Sequence, residues 1–125
     1  MEKMKNRSLR ESFTKAIDGL VFGIKYERNI KIQILITGIL ILFMLCFHFS
    51  LNDILVVLLW IGVVISAEYM NTAIEKAMDF INNSYSPQIK IVKDLSASAV
   101  FILSLLAFIS GILIFIKYIK IFRLQ

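Results

Sequence analysis

Glu68, Asn71, Glu75 and Asp79 follow one another at steps of three, four and four in a stretch free of Gly and Pro. At 100° per residue the last three lie at about −60°, −20° and +20° from Glu68, so all four share one narrow helix stripe. Carboxylates so placed could accept a proton, and their hard oxygens could hold a divalent cation. Depth divides the work. If Ile54, where the preceding apolar run begins, sits at the edge of a hydrocarbon layer about 30 Å thick, Glu68 lies about 21 Å down, Asn71 about 26 Å and Glu75 about 32 Å. Glu68 is then inside the apolar layer, Glu75 at its boundary and Asp79 in water. A carboxylate within lipid costs on the order of 3 kcal/mol by insertion scales, and such groups usually mark function. A plainer account treats these residues as interfacial charges pairing with Lys76, Lys90 and Lys93. That account suits Asp79, but surface charges have no reason to align with a graded descent into lipid.

A second set falls at the same level. Lys93 and Asp94 precede Ser96, Ala97, Ser98 and Ala99, small residues that let another helix approach closely. A Lys90 to Asp94 helix pair is the ordinary alternative for these charges. Glu27, beside Arg28 and Asn29, also lies near the boundary and on its own reads as a solvated charge. No GxxxxGK[ST] loop cradles phosphates, no HExxH or Cys/His cluster binds zinc, and no GxSxG presents a nucleophile. His48, Cys46 and Trp60 read as interfacial, lipid-facing or helix-packing side chains.

The elements that must carry these residues follow from composition. Of 125 residues, 58% are apolar and 18% charged, and the mean hydropathy is +0.79. A soluble domain of this size cannot bury that surplus, so it must face lipid. A soluble enzyme domain, a disordered tail and a secreted disulfide scaffold are excluded, the last because Cys46 is alone. The expected fold is an all-α membrane protein, one membrane domain over 1–125. An interfacial amphipathic helix over 8–29 precedes three transmembrane helices over 30–49, 52–81 and 87–120. Leu9, Phe13, Ile17, Leu20 and Ile24 give the first helix its apolar face. Ser8 and Glu11 fit a capping box. Gly19 and Gly23 permit a close helix contact. Ser50 to Asp53 make a tight turn, and Ser86-Pro87 fits a cap and first helical position.

Lys and Arg number eight up to Lys31, none around Asn52, three from Lys76 to Lys93 and three from Lys117 to Arg123. The first three counts place the N-terminus and the second loop in the cytoplasm. Lys117, Lys120 and Arg123 then stand outside, against the bias. The net charge of +5 sits mostly beside the first span, which points to anionic headgroups and not to nucleic acid.

The run EYMNTAIEKAMD over 68–79 matches the ExxNTAIExxxD motif of the prokaryotic diacylglycerol kinase and undecaprenol kinase family, small bacterial integral-membrane lipid kinases. KDLSASAV over 93–100 resembles that family's second motif, and the resemblance runs from about Ser8 to Phe115. It implies a homotrimer in the bacterial cell membrane that transfers the γ-phosphoryl group of MgATP to a lipid hydroxyl. By this resemblance Glu68 is the general base and Asn71 orients the reacting groups. Glu27 and Glu75 hold Mg²⁺ and so contact ATP, as do Ser84, Tyr85, Ser86, Lys93 and Asp94. The family's N-terminal arginine falls nearest Ser8, flanked by Arg7 and Arg10, and Arg10 is taken for that ATP contact. The YERN context around Glu27 is more similar to the undecaprenol branch than to the diacylglycerol branch. Rivals of other classes are a holin-like pore former, which needs no aligned carboxylates, and a proton-coupled transporter, which leaves Glu75, Lys93 and Glu27 unexplained.

Overall fold

The computed structural model describes residues 8–82, 84 and 86–123. Four helices follow in order: α1 over Leu9–Tyr26, α2 over Arg28–Cys46, α3 over Leu51–Ile81 and α4 over Pro87–Arg123. The protein is all-α with three helices, α2 to α4, long and apolar enough to cross a membrane. Tyr85, one of the expected nucleotide contacts, lies outside the described residues, as does Arg7.

α1, α3 and α4 start where local chemistry suits a helix N-terminus, whereas the N-cap of α2, Glu27, makes no side-chain capping bond. Ser8 Oγ accepts from the Glu11 backbone N–H at 3.2 Å, which is the hydroxyl half of the expected capping box. The Glu11 carboxylate is drawn instead to Lys15 at 3.2 Å. Ser50 Oγ caps α3 by accepting from the Asp53 N–H. Pro87 opens α4, a position where its missing N–H costs nothing.

The first helix ends earlier than the expected 8–29. Glu27 is extended, with φ −99° and ψ 119°, and separates α1 from α2 as a single corner residue. Its N–H still donates to the Gly23 carbonyl, and its own carbonyl accepts from the Lys31 N–H. The corner residue therefore keeps both of its own backbone hydrogen bonds. The helix of the first span likewise stops at Cys46, short of Phe49. There the His48 N–H donates to the Leu45 carbonyl and the Phe49 N–H to the Met44 carbonyl. His48 takes the left-handed conformation, φ 51°, that this double bond pattern needs and that glycine usually supplies.

α3 and α4 form an antiparallel hairpin, the most extensive helix pairing in the molecule, and α2 packs on α3. At the end formed by the α2–α3 turn, Asp53 accepts from Lys117 Nζ and from the Tyr118 hydroxyl, each at 2.8 Å. The Phe49 and Tyr118 rings stack above this pair, centroids 3.8 Å apart and 3° from parallel. One of the three basic residues near the C-terminus thus has an acidic partner across the hairpin. Ile30, Met44 and Val57 are the buried apolar side chains among the described residues. Most of the remaining apolar surface is left to lipid or to other chains.

α1 docks on α3 at one close approach. The Tyr69 hydroxyl donates to the Leu20 carbonyl at 2.7 Å, and its ring lies against Gly23. A Cβ built at Gly23 would stand 2.3 Å from that ring, whereas at Gly19 it would meet nothing within 4 Å. Gly23→Ala should therefore push Tyr69 off α1 and cost about 1–3 kcal/mol in overpacking. Thermal unfolding in detergent should show a lowered midpoint for Gly23→Ala and an unchanged one for Gly19→Ala. Equal midpoints would mean that the two helices do not touch at Gly23.

Candidate active site

The stripe on α3 becomes a set of polar contacts because the neighbouring helices bring partners to it. Glu68 is 4% exposed and Asn71 7%, the two buried polar residues among those described. From α2, Gln33 Nε2 donates to Glu68 Oε2 in a long hydrogen bond of 3.5 Å. Within α3, Asn71 Nδ2 donates to Glu75 Oε1 at 3.1 Å. From α4, the Ser96 hydroxyl donates to Asn71 Oδ1 at 2.6 Å. Both ends of the Asn71 amide are thereby used, which fixes its plane and places Glu75 beside it.

Glu27 joins this set from the corner between α1 and α2. Its Oε1 receives Lys76 Nζ at 2.8 Å, and Lys76 also lies over the Phe22 ring, 5.4 Å from its centroid. The two links between α2 and α3 share one antiparallel register, Glu27 with Lys76 and Gln33 with Glu68. Further along, Lys93 reaches across the hairpin to Asp79, and Lys90 pairs with Asp94 on α4 at 2.6 Å. Asp94 is exposed and Lys93 half-buried.

The expected residues are not all gathered. Glu68, Asn71 and Glu75 form a continuous file on α3, and Glu27 lies at its Glu75 end through Lys76. Lys93 and Asp94 stand at the start of α4, each held by another partner. Ser84 and Ser86 belong to the turn before it, where the Ser84 N–H donates to Asn82 Oδ1 at 2.8 Å and the Ser86 hydroxyl reaches Gln88. Arg10 is in the first turn of α1, about 25 Å along that helix from Glu27, and does not approach the carboxylates.

Two contributors escaped the sequence reading. Gln33 was one of several polar residues in the first span, and only its position near the boundary end of that span hinted at a role. Ser96 counted as a small residue, whereas its hydroxyl orients Asn71. Gln33 also lines an apolar cavity of about 370 Å³ between α2, α3 and α4, with Leu40, Trp60, Val64 and Ala107 among its walls. Its Oε1 is a buried oxygen without a hydrogen-bond partner among the described residues. The cavity is thus mostly hydrocarbon-lined, with Gln33, Thr37 and Ser104 as its polar lining residues.

Among the described residues no three His, Cys, Asp or Glu side chains gather as a closed metal site. Glu27 and Glu75 offer hard oxygen ligands, and Glu27 already carries a cation, the Lys76 ammonium. That donor set fits Mg²⁺ shared with a nucleotide, because Mg²⁺ usually takes one or two protein carboxylates and completes its shell with phosphate and water.

Comparison with protein families matches residues 14–115 to the family described as prokaryotic diacylglycerol kinase. Among curated proteins, the undecaprenol kinase of Bacillus subtilis (strain 168) is 32% identical over 112 residues, covering 85% of this chain and 86% of that protein. No solved structure matches.

Proposed function

The chain belongs to the prokaryotic diacylglycerol kinase family, and on that premise we propose that it phosphorylates the hydroxyl of a polyisoprenol, undecaprenol first, with MgATP as donor. As a multi-pass membrane lipid kinase it is neither a pore former nor a transporter. The observation that carries the site reading is the file on α3: a buried carboxylate, a buried amide held at both ends, and a half-buried carboxylate toward the aqueous end.

In this reading Glu68 takes the proton from the lipid hydroxyl. The hydroxyl oxygen bonds to the γ-phosphorus as the bond to the β–γ bridging oxygen breaks, and ADP leaves with those electrons. Burial of Glu68 keeps water from competing as the acceptor. Asn71, fixed by Ser96 and Glu75, orients the groups that react. Glu27 and Glu75 would hold Mg²⁺, which supplies neutralisation of the phosphate charge. Lys93, Asp94 and the turn with Ser84 and Ser86 face the nucleotide. Phosphoryl transfer needs chiefly positioning and charge neutralisation, so a site this small suffices.

The acceptor is proposed from the YERN context of Glu27 and from the kinship with an undecaprenol kinase. Competition between undecaprenol and diacylglycerol in mixed micelles, with labelled ATP, should put most label in the polyisoprenyl phosphate. Preference for diacylglycerol would move the protein to the other branch of its family.

The chain sits in the bacterial cell membrane, a reading supported by the large apolar surface a single copy leaves uncovered, and the family resemblance adds assembly as a homotrimer. The N-terminus and the turn before α4 face the cytoplasm, as the Lys and Arg counts indicate. In a Cys46-free background, a cysteine at Asn52 should react with an impermeant reagent on intact cells and one at Ser84 should not. The reverse pattern would put the carboxylates on the side without ATP.

A further inference from the structure

Lys76 sits where two jobs meet. Its ammonium is 2.8 Å from Glu27 Oε1, its stem comes from the residue after Glu75, and the Phe22 ring lies beneath it. About half of the Lys76 side chain is exposed, so the ammonium can move while Glu27, 24% exposed, stays in its corner. We propose that Lys76 is an exchanging counter-ion: it neutralises Glu27 when the site is empty and moves to the nucleotide's phosphate oxygens when Mg²⁺ takes Glu27.

Charge and room decide where the ammonium goes. A Mg²⁺ ion held by Glu27 Oε1 would compete with the ammonium now on that oxygen, because two cations side by side repel. The displaced ammonium needs an anion within reach of its four-carbon stem. The triphosphate that arrives with Mg²⁺ is such an anion, and lysine binds phosphate as a mobile point charge. The Phe22 face offers the ammonium a second, weaker contact where it stands. The two lysines at the start of α4 are committed elsewhere, Lys93 to Asp79 and Lys90 to Asp94. Lys76 is thus the cation tied directly to one of the carboxylates read as metal ligands. The exchange makes Mg²⁺ and ATP bind best together, since Mg²⁺ alone must evict Lys76 with no phosphate to receive it.

This rests on Glu27 being a metal ligand, and the test separates the two claims. Mn²⁺ binding without nucleotide, followed by electron paramagnetic resonance, and binding of a non-hydrolysable ATP analogue at saturating Mg²⁺ are measured on the full chain in detergent. Lys76→Met should tighten Mn²⁺ about tenfold, since the competitor is gone, and weaken the analogue about tenfold, since a charge-assisted contact is lost. Lys76→Arg should keep both within about twofold. A brace that merely holds Glu27 in place would instead weaken both. Weakening of both, or no change in either, overturns the exchange. Glu27→Gln should lose Mn²⁺ affinity. If it does while Lys76→Met fails to shift the two affinities in opposite directions, only the exchange is wrong. If Glu27→Gln binds Mn²⁺ normally, the metal reading of Glu27 falls and the exchange with it.

Discussion

Glu68→Gln should lower kcat for lipid phosphorylation by about 10² or more, the range expected for losing a positioned general base. Affinity for MgATP should stay close to wild type. The substitution keeps shape and volume, and its carbonyl oxygen can still accept from Gln33 Nε2, so the α2–α3 contact is retained. What disappears is a carboxylate in a site only 4% exposed, where water cannot easily stand in for it. Glu68 also lies seven residues, about 10 Å, along α3 from Glu75. One ion bound at Glu75 therefore does not reach it. Steady-state turnover and analogue binding, measured side by side, check both halves of the expectation. A normal kcat would remove Glu68 from the chemistry.

Glu75→Gln should behave differently although it stands on the same stripe. Its amide oxygen can still take the Asn71 Nδ2 hydrogen bond, so the local geometry survives while the negative charge is lost. The Mg²⁺ and ATP concentrations for half-maximal rate should each rise about tenfold or more, as expected for losing a contact between charged groups. Glu27→Gln should show the same kind of defect, because its carboxylate is already arranged for a cation by the helix corner. A magnesium titration at fixed lipid, repeated at several ATP concentrations, distinguishes these variants from Glu68→Gln. If Glu75→Gln lost turnover at saturating Mg²⁺ and ATP while keeping its Mg²⁺ dependence, the division of labour by depth would be wrong.

Relations inside one helix were legible in the sequence because the 3.6-residue period sets them before any packing occurs. Glu68, Asn71, Glu75 and Asp79 share a stripe on that ground alone, and the three apolar runs, the second continued by its helical period through Asp79, point to three spans. Ser8, Ser50 and Pro87 announce helix starts through side-chain chemistry that acts within three residues. The two helix ends in the first half were harder. Glu27 ends α1 by an extended corner and His48 ends α2 in a left-handed conformation, neither with the Gly or Pro that would have marked them.

Relations between helices came only with the tertiary structure. That Gln33 meets Glu68, that Ser96 turns Asn71, that Glu27 is bound to Lys76 and that Lys93 goes to Asp79 all depend on the antiparallel registers of α2 on α3 and α3 on α4. Periodicity says which face a residue occupies but leaves the sliding of one helix along another free. Packing details and the geometry of the intervening turns decide it, such as the close approach of Tyr69 to Gly23 or the clasp of Asp53 by Lys117 and Tyr118. Composition and period alone required a membrane bundle with carboxylates at graded depth; which partner from another helix holds Glu27, Asp53 or Glu68 was decided by register, because those contacts join residues 35 to 65 positions apart that no local period relates.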